Sequence, residues 1–339
     1  MAKMRILVLS PLPEALVLAL FGAQATVEET GQVEVVTHNG EAKEELLEAV
    51  RGAHVILGDY TNNIAMDSDV MRAAKGCLLI QQPSVGYQHL DIEEAARQGI
   101  PVANVAGANS LAVAEHTIMV ILACLKKLML SHDKTKSAHW AQDEMANYGV
   151  YEFSGKTLGI IGLGRIGREV ARLAVAFGPD TIYYDIVRPS PELEVELSAT
   201  FRPLEELVAE SDVLTLHVPL TPETRKMMDR ERIGSMKQGA ILVNAARGEV
   251  VDENALAEAL EEGRLQGAAL DVFSVEPVSP DNPLLEAPYT VLTPHTAGAT
   301  NESRLRIITM SMSNIASVLR GQAPVNIING VEPVYPAGD

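Results

Sequence analysis

The segment Gly162-Leu163-Gly164-Arg165-Ile166-Gly167 limits the possible folds of this chain more than any other part of its sequence. It directly follows an apolar run at 157–161 and precedes a helical pattern at 169–177. In a strand, turn and helix of this order, the first glycine makes the tight turn, the second lets a pyrophosphate approach the backbone, and the third lets helix and strand pack closely. The helix N-terminus adds N–H groups without helical partners and a positive dipole end. The segment therefore predicts a dinucleotide-binding turn rather than a glycine-rich structural turn.

An acidic residue at the end of the next strand supports this prediction. A second apolar run at 181–184 ends in Asp185, which lies 18 residues after Gly167. A carboxylate about 20 residues past the glycine turn holds the ribose hydroxyls of NAD. Arg188 complicates the prediction, because it could turn inward and neutralise the 2′-phosphate of NADP. Since the Asp185 carboxylate lies at the ribose position itself, we predict NAD as the cofactor.

Strand-like runs alternate with helical patterns throughout the sequence, which is typical of α/β proteins with parallel sheets. A long helical pattern at 110–130 separates two series of strands, and a last helix is predicted at 301–320. The first series is predicted at 4–9, 32–37, 54–58, 77–81 and 101–103, and the second, of about six strands, at 157–161, 180–184, 212–216, 240–244, 266–270 and 290–292.

These series predict two doubly wound, Rossmann-like parallel-sheet domains joined by long helices, with the active site in the cleft between them. Because the glycine turn lies in the second series, residues 109–299 are predicted to form the NAD-binding Rossmann domain. The last helix is predicted to cross back to the first series, so residues 1–108 and 300–339 would form a discontinuous substrate domain. The acidic run Glu192, Glu194 and Glu196 is interpreted as a solvated loop.

The composition excludes several classes of partner and location. A chain of 339 residues, of which 47% are hydrophobic, is large enough for two packed domains. Its net charge of −18 repels nucleic acid and anionic membranes, so neither is an expected partner. No signal-peptide pattern is found, and the most apolar helical run, 117–125, is too short for a bilayer span. Cys77 and Cys124 lie in apolar patterns without zinc-site spacing, so we expect a cytoplasmic protein with buried thiols and no metal site.

Three polar residues, Arg247, Glu276 and His295, follow the last three strands of the second predicted sheet. Ligands of open α/β sheets bind outside the carboxyl ends of the strands, so these side chains are predicted to face the nicotinamide. A guanidinium can bind a carboxylate through two hydrogen bonds, an imidazole can exchange a proton near neutral pH, and a glutamate can fix the imidazole tautomer. Each residue alone could be a surface arginine, a loop acid or a loop histidine. Their position at three ends of one sheet favours a catalytic set.

Several longer motifs surround these residues. They read Leu158-Gly159-Ile160-Ile161-Gly162-Leu163-Gly164-Arg165-Ile166-Gly167, His217-Val218-Pro219-Leu220-Thr221-Pro222-Glu223-Thr224, Val243-Asn244-Ala245-Ala246-Arg247-Gly248, Ala269-Leu270-Asp271-Val272-Phe273, Glu276-Pro277 and Thr293-Pro294-His295-Thr296-Ala297-Gly298. In these motifs the chain resembles the D-isomer-specific 2-hydroxyacid dehydrogenases, and the 3-phosphoglycerate dehydrogenases among them give the closest overall pattern. Ser84-Val85-Gly86 resembles the substrate-carboxylate loop of the family, and the segment from Asn109 to His116 resembles the entry into its long interdomain helix.

The resemblance implies a role for each matching residue. His295 would be the acid/base, Glu276 its partner, and Arg247 the residue that orients the substrate carboxylate and carbonyl. Asp271 would hold the nicotinamide carboxamide. Further contacts to the substrate, a small-molecule 2-hydroxy or 2-oxo acid, would come from Ser84, Val85, Gly86 and Asn109. Further contacts to NAD would come from Gly162, Gly164, Arg165, Ile166, Gly167, Asp185, His217, Val218, Pro219, Thr224, Ala245, Arg247, His295, Ala297 and Gly298.

Differences from the closest pattern bear on the substrate. The 3-phosphoglycerate dehydrogenases carry arginines on two substrate loops, whereas loops 58–63 and 81–86 have no basic residue here, and no appended regulatory domain is recognised. We therefore predict a small, unphosphorylated acid that resembles glyoxylate or hydroxypyruvate. D-3-phosphoglycerate stays open as an alternative, because Arg304 or Arg306 could supply the missing cation. An NAD-sensing scaffold, like the corepressors that share this fold, is the alternative from another class.

The helical segment at 110–140 predicts a homodimer, because it is richer in apolar residues than one buried face requires. A helix buried between two domains of one chain is the alternative, and the family resemblance favours the dimer. Trp140 would then reach the site of the partner subunit. The apolar residues of the segment include Ile118, Met119, Val120, Ile121, Leu122, Leu125, Leu128 and Met129.

Overall fold

The computed structural model of the protein describes residues 3–38 and 42–333. It divides the chain into two compact units, of which the first comprises Met1–Asn109 and Asn301–Asp339, as far as these are described, and the second Ser110–Thr300. Each unit contains one sheet whose neighbouring strands run parallel. The predicted α/β fold with two parallel sheets is therefore confirmed. No helix in the described ranges is long and apolar enough to cross a membrane.

The first unit is built on a five-stranded sheet in the order β2-β1-β3-β4-β5. Its strands are β1 (Met4–Val8), β2 (Val33–Thr37), β3 (Val55–Leu57), β4 (Leu79–Gln81) and β5 (Val102–Ala103). Its helices are Glu14–Gly22, Val27–Gly31, Lys43–Val50, Ser68–Ala73, Ile92–Arg97 and the last helix, Asn301–Leu319. Because successive strand residues point to opposite faces, Ile6 packs with Phe21 and Ile315 on one face, while Leu7 packs with Leu46 on the other.

The second unit is built on a seven-stranded sheet in the order β12-β11-β10-β9-β6-β7-β8. Its strands are β6 (Thr157–Ile161), β7 (Asp180–Tyr184), β8 (Ala199–Phe201), β9 (Val213–Leu216), β10 (Ala240–Asn244), β11 (Leu265–Leu270) and β12 (Thr290–Leu292). Its helices are Ser110–Leu125, Leu128–Lys136, Gln142–Asn147, Arg165–Val175, Pro191–Glu196, Leu204–Glu210, Arg230–Ser235 and Glu253–Glu261, with short 3₁₀ helices at Gly248–Val250 and Pro283–Leu285.

The strand order of the second unit reverses between β6 and β9. From β6 the chain adds β7 and β8 on one side, and it then returns to add β9, β10, β11 and β12 on the other. In open parallel sheets a ligand binds outside the carboxyl ends of the strands at such a reversal. The glycine turn lies there, because it directly follows β6.

The helix predicted over 110–130 is interrupted at Lys127, which adopts a left-handed conformation with φ of 50°. Its ammonium group donates to the carbonyl of Gln266 and lies 3.8 Å from the centre of the Tyr289 ring. The side chain is buried, and these distant partners hold it at the point where the helix is interrupted. Because both partners lie far along the sequence, the helical pattern alone did not reveal these contacts.

The acidic run that was interpreted as a loop is a short helix, Pro191–Glu196. Ser190 caps it, because its hydroxyl accepts from the N–H of Leu193, and Pro191 occupies its first turn, where a missing N–H costs nothing. The interpretation as a loop was wrong because it considered the charges and not these helix-start residues. The strand β8 that follows was also not predicted, and it brings the sheet to seven strands instead of about six.

Candidate functional site

Two positions of the glycine turn after β6 leave no space for a side chain, so only glycine fits there. Gly162 has a φ of +94°, and a Cβ atom there would lie 2.5 Å from the carbonyl oxygen of His217. A Cβ atom at Gly167 would lie 2.1 Å from the carbonyl oxygen of Gly162. Real Cβ atoms do not approach that closely, so these glycines allow helix Arg165–Val175 to pack directly against the turn.

Gly164 is open where the other two glycines are crowded. A Cβ atom there would meet no heavy atom of the described residues within 4 Å. Gly164 is also the N-cap of the helix that begins at Arg165 and continues with Ile166. The turn thus has free space in front of a helix N-terminus, where N–H groups and the dipole favour an anion. This arrangement fits the pyrophosphate of a dinucleotide.

Asp185 directly follows β7 and holds the glycine turn in place. Its Oδ2 accepts from the N–H of Leu163 at 2.7 Å, and its Oδ1 accepts from the N–H of Val187 at 2.9 Å. A carboxylate can accept about four hydrogen bonds, so both oxygens retain capacity for ribose hydroxyls. The carboxylate is therefore fixed beside the turn and can still accept hydrogen bonds. Its predicted contact with the ribose diol stays a prediction.

We expect alanine at Gly164 and at Gly167 to act differently. Gly167→Ala forces a backbone clash, so it lowers the free energy of unfolding by about 1–3 kcal/mol and also weakens NADH binding. Gly164→Ala meets no protein atom, so stability changes by less than about 1 kcal/mol, while the new methyl group fills the phosphate space and weakens NADH binding about tenfold. Denaturant unfolding and fluorescence titration with NADH measure the two effects.

Gly234→Ala is the matched control, because Gly234 lies in the helix Arg230–Ser235 and an added Cβ atom would meet no heavy atom of the described residues outside that helix within 4 Å. It should leave NADH binding unchanged. An unchanged NADH affinity in Gly164→Ala would contradict the assignment of this space to the pyrophosphate.

His295 and Glu276, predicted as the acid/base and its partner, are hydrogen-bonded. Nδ1 of His295 lies 2.6 Å from Oε2 of Glu276, and the other carboxylate oxygen accepts from the N–H of Phe273 at 3.0 Å. The Glu276 hydrogen bond raises the pKa of His295 above its ordinary value, although burial opposes the rise. Burial also acts to raise the pKa of Glu276, but the hydrogen bonds from His295 and Phe273 outweigh it and lower that pKa. An imidazole held in this way can exchange a proton through its other nitrogen, Nε2.

Arg247 follows β10 in a turn that Asn244 braces. The Asn244 side chain is buried, its Oδ1 accepts from the N–H of Ala246 at 3.0 Å, and its Nδ2 donates to the carbonyl of Arg247 at 2.9 Å. Burial lowers the pKa of Arg247, while Glu276 and Glu249 act to raise it. A guanidinium with reduced solvation binds a carboxylate more strongly than one in water.

Gly248 brings the Arg247 turn against the loop that carries Glu276. A Cβ atom at Gly248 would lie 1.9 Å from the carbonyl carbon of Phe273. The loop is further held by Glu253, which accepts from the N–H and hydroxyl of Ser274 and from the amide of Asn282. The sequence did not identify Asn244, Gly248 and Glu253 as supports of the site. The contacts of Gly248 and Glu253 with the loop that carries Glu276 are seen only in the structure.

Asp271 braces the turn that carries His295. Its carboxylate accepts from the hydroxyl of Thr293 at 2.6 Å and from the N–H groups of Thr296 and Ala297, each at 2.8 Å. Its backbone carbonyl accepts from the N–H of His295 at 2.7 Å. These bonds support the left-handed conformation of His295, whose φ is 53°. The predicted contact of Asp271 with the nicotinamide carboxamide stays a prediction, and the observed function of this carboxylate is to position the turn.

Other predicted cofactor residues lie around the same carboxyl edge of the sheet. The ring of His217 lies 3.0 Å from the hydroxyl of Thr215, and burial lowers the pKa of His217 to about 3, so this histidine is neutral. The Thr224 hydroxyl donates to the carbonyl of Pro219 and shapes the turn after β9. The remaining predicted residues follow β9, β10 and β12 in the sequence, namely Val218, Ala245, Ala297 and Gly298. Their contacts with NAD stay predictions.

The predicted substrate loop belongs to the first unit. Gln82 is buried, and its amide donates to Oδ1 of Asn62 at 3.0 Å and to Oγ of Ser84 at 2.8 Å. The Ser84 hydroxyl in turn bonds to the carbonyl of Gly86 at 2.8 Å, and the Val85 carbonyl accepts from the amide of Asn104 at 3.0 Å. Much of the polarity of these loops is thus used internally. Oε1 of Gln82 and Oδ1 of Asn109, by contrast, are buried without a hydrogen-bond partner among the described residues.

Comparisons with known proteins identify the family to which this chain is similar. A model of the NAD binding domain of D-isomer specific 2-hydroxyacid dehydrogenases matches residues 118–297. A glyoxylate reductase of Korarchaeum cryptofilum is 40% identical over 300 residues, which cover 88% of this chain and 89% of the reductase. A D-3-phosphoglycerate dehydrogenase of Methanocaldococcus jannaschii is 40% identical over 325 residues, which cover 96% of this chain and only 59% of that protein. The crystal structure of D-lactate dehydrogenase from Aquifex aeolicus with NAD and lactic acid superimposes with a TM-score of 0.83 at 30% identity, and the match covers 96% of this chain and all of that one.

Proposed function

The chain belongs to the family of D-isomer specific 2-hydroxyacid dehydrogenases, and from this premise we propose that it reduces a small, unphosphorylated 2-oxo acid such as glyoxylate or hydroxypyruvate with NADH. The family is shown by the match to its NAD binding domain and by relatives of similar length. The chain is accordingly an NAD-dependent oxidoreductase that acts on 2-hydroxy and 2-oxo acids. The observation that carries the mechanism is the His295–Glu276 pair at 2.6 Å on the sheet that also bears the glycine turn.

The size and charge of the substrate are inferred from the two polar loops of the first unit. A phosphate in a closing site needs fixed cations, because an unpaired phosphate is costly to desolvate. Loops 58–63 and 81–86 contain no lysine or arginine, and Arg306 of the last helix donates to the carbonyl of Ala108 at 2.7 Å. Glyoxylate is the substrate that the name of the Korarchaeum relative states. D-3-phosphoglycerate, which the name of the Methanocaldococcus relative states, stays the alternative.

NAD fits the residues of the second unit. The open face of Gly164 and the N-terminus of helix Arg165–Val175 would hold the pyrophosphate, and Asp185 would hold the ribose diol. When bound, the cofactor supplies the acceptor or donor of the hydride that leaves or joins C2 of the substrate. The protein contributes binding, orientation and proton transfer.

Proton transfer is the task of His295. With Nδ1 paired to Glu276, Nε2 is the nitrogen that accepts the C2 hydroxyl proton in oxidation and returns it to the carbonyl oxygen in reduction. Arg247 would bind the substrate carboxylate and stabilise charge that develops on the neighbouring oxygen. Ser84, Val85, Gly86 and Asn109 remain the proposed further contacts of the substrate.

We expect Glu276→Gln to move the pH profile to lower pH. The Glu276 carboxylate raises the pKa of His295, so its removal lowers that pKa. Oxidation needs the neutral imidazole, so the acidic limb of the oxidation rate should shift to lower pH. Reduction needs the imidazolium, so its basic limb should shift in the same direction. The dependence of kcat/KM on pH, measured in both directions, checks this.

Glu286→Gln is the control for this profile, because Glu286 is an exposed glutamate of the same unit. Its pH profile should equal that of the wild type. Profiles of Glu276→Gln and wild type that coincide would refute the functional pairing of Glu276 with His295.

The alternative from another class, an NAD-sensing scaffold, is separated from an enzyme by turnover. At catalytic concentration, the protein should oxidise NADH with glyoxylate or hydroxypyruvate and form an equal amount of glycolate or D-glycerate. NADH binding without turnover of any tested 2-oxo acid would favour the scaffold.

We also propose that the protein forms a homodimer through the helical segment at 110–140. Ile118, Val120, Ile121 and Leu125 are buried within the core of the second unit, so part of the apolar excess is already used. The support for a dimer is the remaining exposed set on the same segment, Met119, Leu128, Met129 and Trp140. Light scattering should give twice the chain mass of 36.4 kDa, and a mass of one chain would contradict the dimer.

The compact units support a substrate domain of 1–108 and 300–339 and a cofactor domain of 109–299, with differences of about one residue at each boundary. For location we propose the cytoplasm. The supporting observation is that Cys77 and Cys124 are free thiols in buried positions, where burial raises the pKa of each to about 12.

A further inference from the structure

Two opposite charges follow β7, where the adenosine ribose of the cofactor is expected. Asp185 carries the charge that favours the ribose diol of NAD, and Arg188, three residues later, carries the charge that accommodates the 2′-phosphate of NADP in folds of this type. The sequence alone leaves these two residues in conflict. A third residue in the helix Pro191–Glu196 resolves the conflict.

Glu194 holds the guanidinium of Arg188. Nε of Arg188 donates to Oε1 at 2.9 Å, and Nη2 donates to Oε2 at 3.3 Å. The guanidinium carbon also lies 5.0 Å from the centre of the Phe201 ring on β8. Arg188 is therefore held toward the helix and the edge strand by one carboxylate and one aromatic ring.

Glu194 is well placed to compete with a phosphate for this arginine. Its side chain is 16% exposed, whereas that of Arg188 is 61% exposed. It also accepts from the hydroxyl of Tyr183. The hydrogen bonds from Arg188 and Tyr183 lower the pKa of Glu194, so it is ionised at neutral pH. A shielded, ionised carboxylate with two donors forms stronger hydrogen bonds than one in water.

We propose that Glu194 determines the cofactor specificity of this protein by keeping Arg188 paired and thereby withholding from NADP the cation that its 2′-phosphate needs. Glu194 acts through Arg188 and does not touch the cofactor, so it is a positioning residue. The proposal rests on the proposed function only in that the second unit binds a nicotinamide dinucleotide. This effect adds to that of Asp185. The Asp185 carboxylate repels the 2′-phosphate of NADP, and Glu194 keeps the Arg188 guanidinium from neutralising that phosphate.

The test compares two glutamates of the same helix. Glu194→Gln removes the charge and keeps an acceptor for the Tyr183 hydroxyl, and it should lower the Kd of NADPH about tenfold while the Kd of NADH changes less than about twofold. Glu196→Gln removes the same charge but releases Arg172, to which Glu196 is paired at 3.0 Å, and it should change neither Kd. Fluorescence titration without a 2-oxo acid measures both constants, so the result is independent of any reductase activity.

A double variant identifies Arg188 as the mediator. Arg188→Ala combined with Glu194→Gln should return the Kd of NADPH to the wild-type value. The amide oxygen of Glu194→Gln could still accept a hydrogen bond from Arg188. Glu194→Ala removes both acceptor oxygens and should change the Kd of NADPH in the same direction. The proposal is overturned if neither single variant tightens NADPH binding, or if the gain persists in the double variant.

Discussion

Replacement of His295 by alanine should lower kcat by about 10²- to 10⁴-fold, because a positioned acid/base contributes a factor of that size. NADH binding should change little, since the glycine turn and Asp185, which hold the cofactor in our account, are built from other strands of the sheet. Steady-state kinetics of 2-oxo acid reduction and fluorescence titration with NADH measure the two quantities. A large loss of kcat with an unchanged Kd would place His295 in the chemical step.

His54→Ala is the control, because His54 is an exposed histidine of the first unit outside loops 58–63 and 81–86 and outside the proposed dimer segment. It should retain wild-type kcat. A loss of less than about tenfold in His295→Ala would remove His295 from the proposed mechanism.

Replacement of Arg247 by alanine should lower kcat/KM for a 2-oxo acid by about 10²- to 10³-fold, the cost of removing one group that stabilises developing charge. The variant loses both the carboxylate contact and the positive charge near the reacting oxygen. Arg247→Lys keeps the charge but not the two parallel hydrogen bonds, so it should recover only part of the loss. Kinetics with glyoxylate over a range of concentrations separates kcat from KM.

Arg225→Ala serves as the matched control, since Arg225 is an exposed arginine in the segment that follows strand β9 of the same sheet. It should have wild-type kcat/KM. Full activity of Arg247→Lys would show that charge alone is sufficient, and full activity of Arg247→Ala would end the assignment of Arg247 to the substrate.

The fold was predictable where local patterns determine structure. Apolar runs marked eleven of the twelve strands in the described residues, because strands buried on both faces are continuously apolar. The twelfth, β8, has the sequence Ala199-Thr200-Phe201 with an exposed Thr200 at its centre, so it is not a continuous apolar run. At the break, Lys127 contacts Gln266 and Tyr289, which are distant in sequence, and a local pattern does not contain these contacts.

The sequence allowed the positions of the candidate site residues to be predicted, because these residues follow the carboxyl ends of recognisable strands. The positions of Arg247, Glu276 and His295 after three adjacent parallel strands follow from the sheet order, and the structure pairs the last two. The supporting contacts were not predictable. Asp271 binds the turn of His295 through three hydrogen bonds, and Glu253 binds the loop of Glu276 from a helix more than twenty residues earlier in the chain. Such contacts arise from the packing of loops that the sequence pattern does not place.

The substrate is tested most directly by comparing kcat/KM for glyoxylate, hydroxypyruvate and 3-phosphohydroxypyruvate with NADH as the reductant. Loops 58–63 and 81–86 lack a lysine or arginine for a distal phosphate, so the two unphosphorylated acids should have the higher values. The highest kcat/KM for 3-phosphohydroxypyruvate would contradict an unphosphorylated substrate and would assign the chain to D-3-phosphoglycerate oxidation.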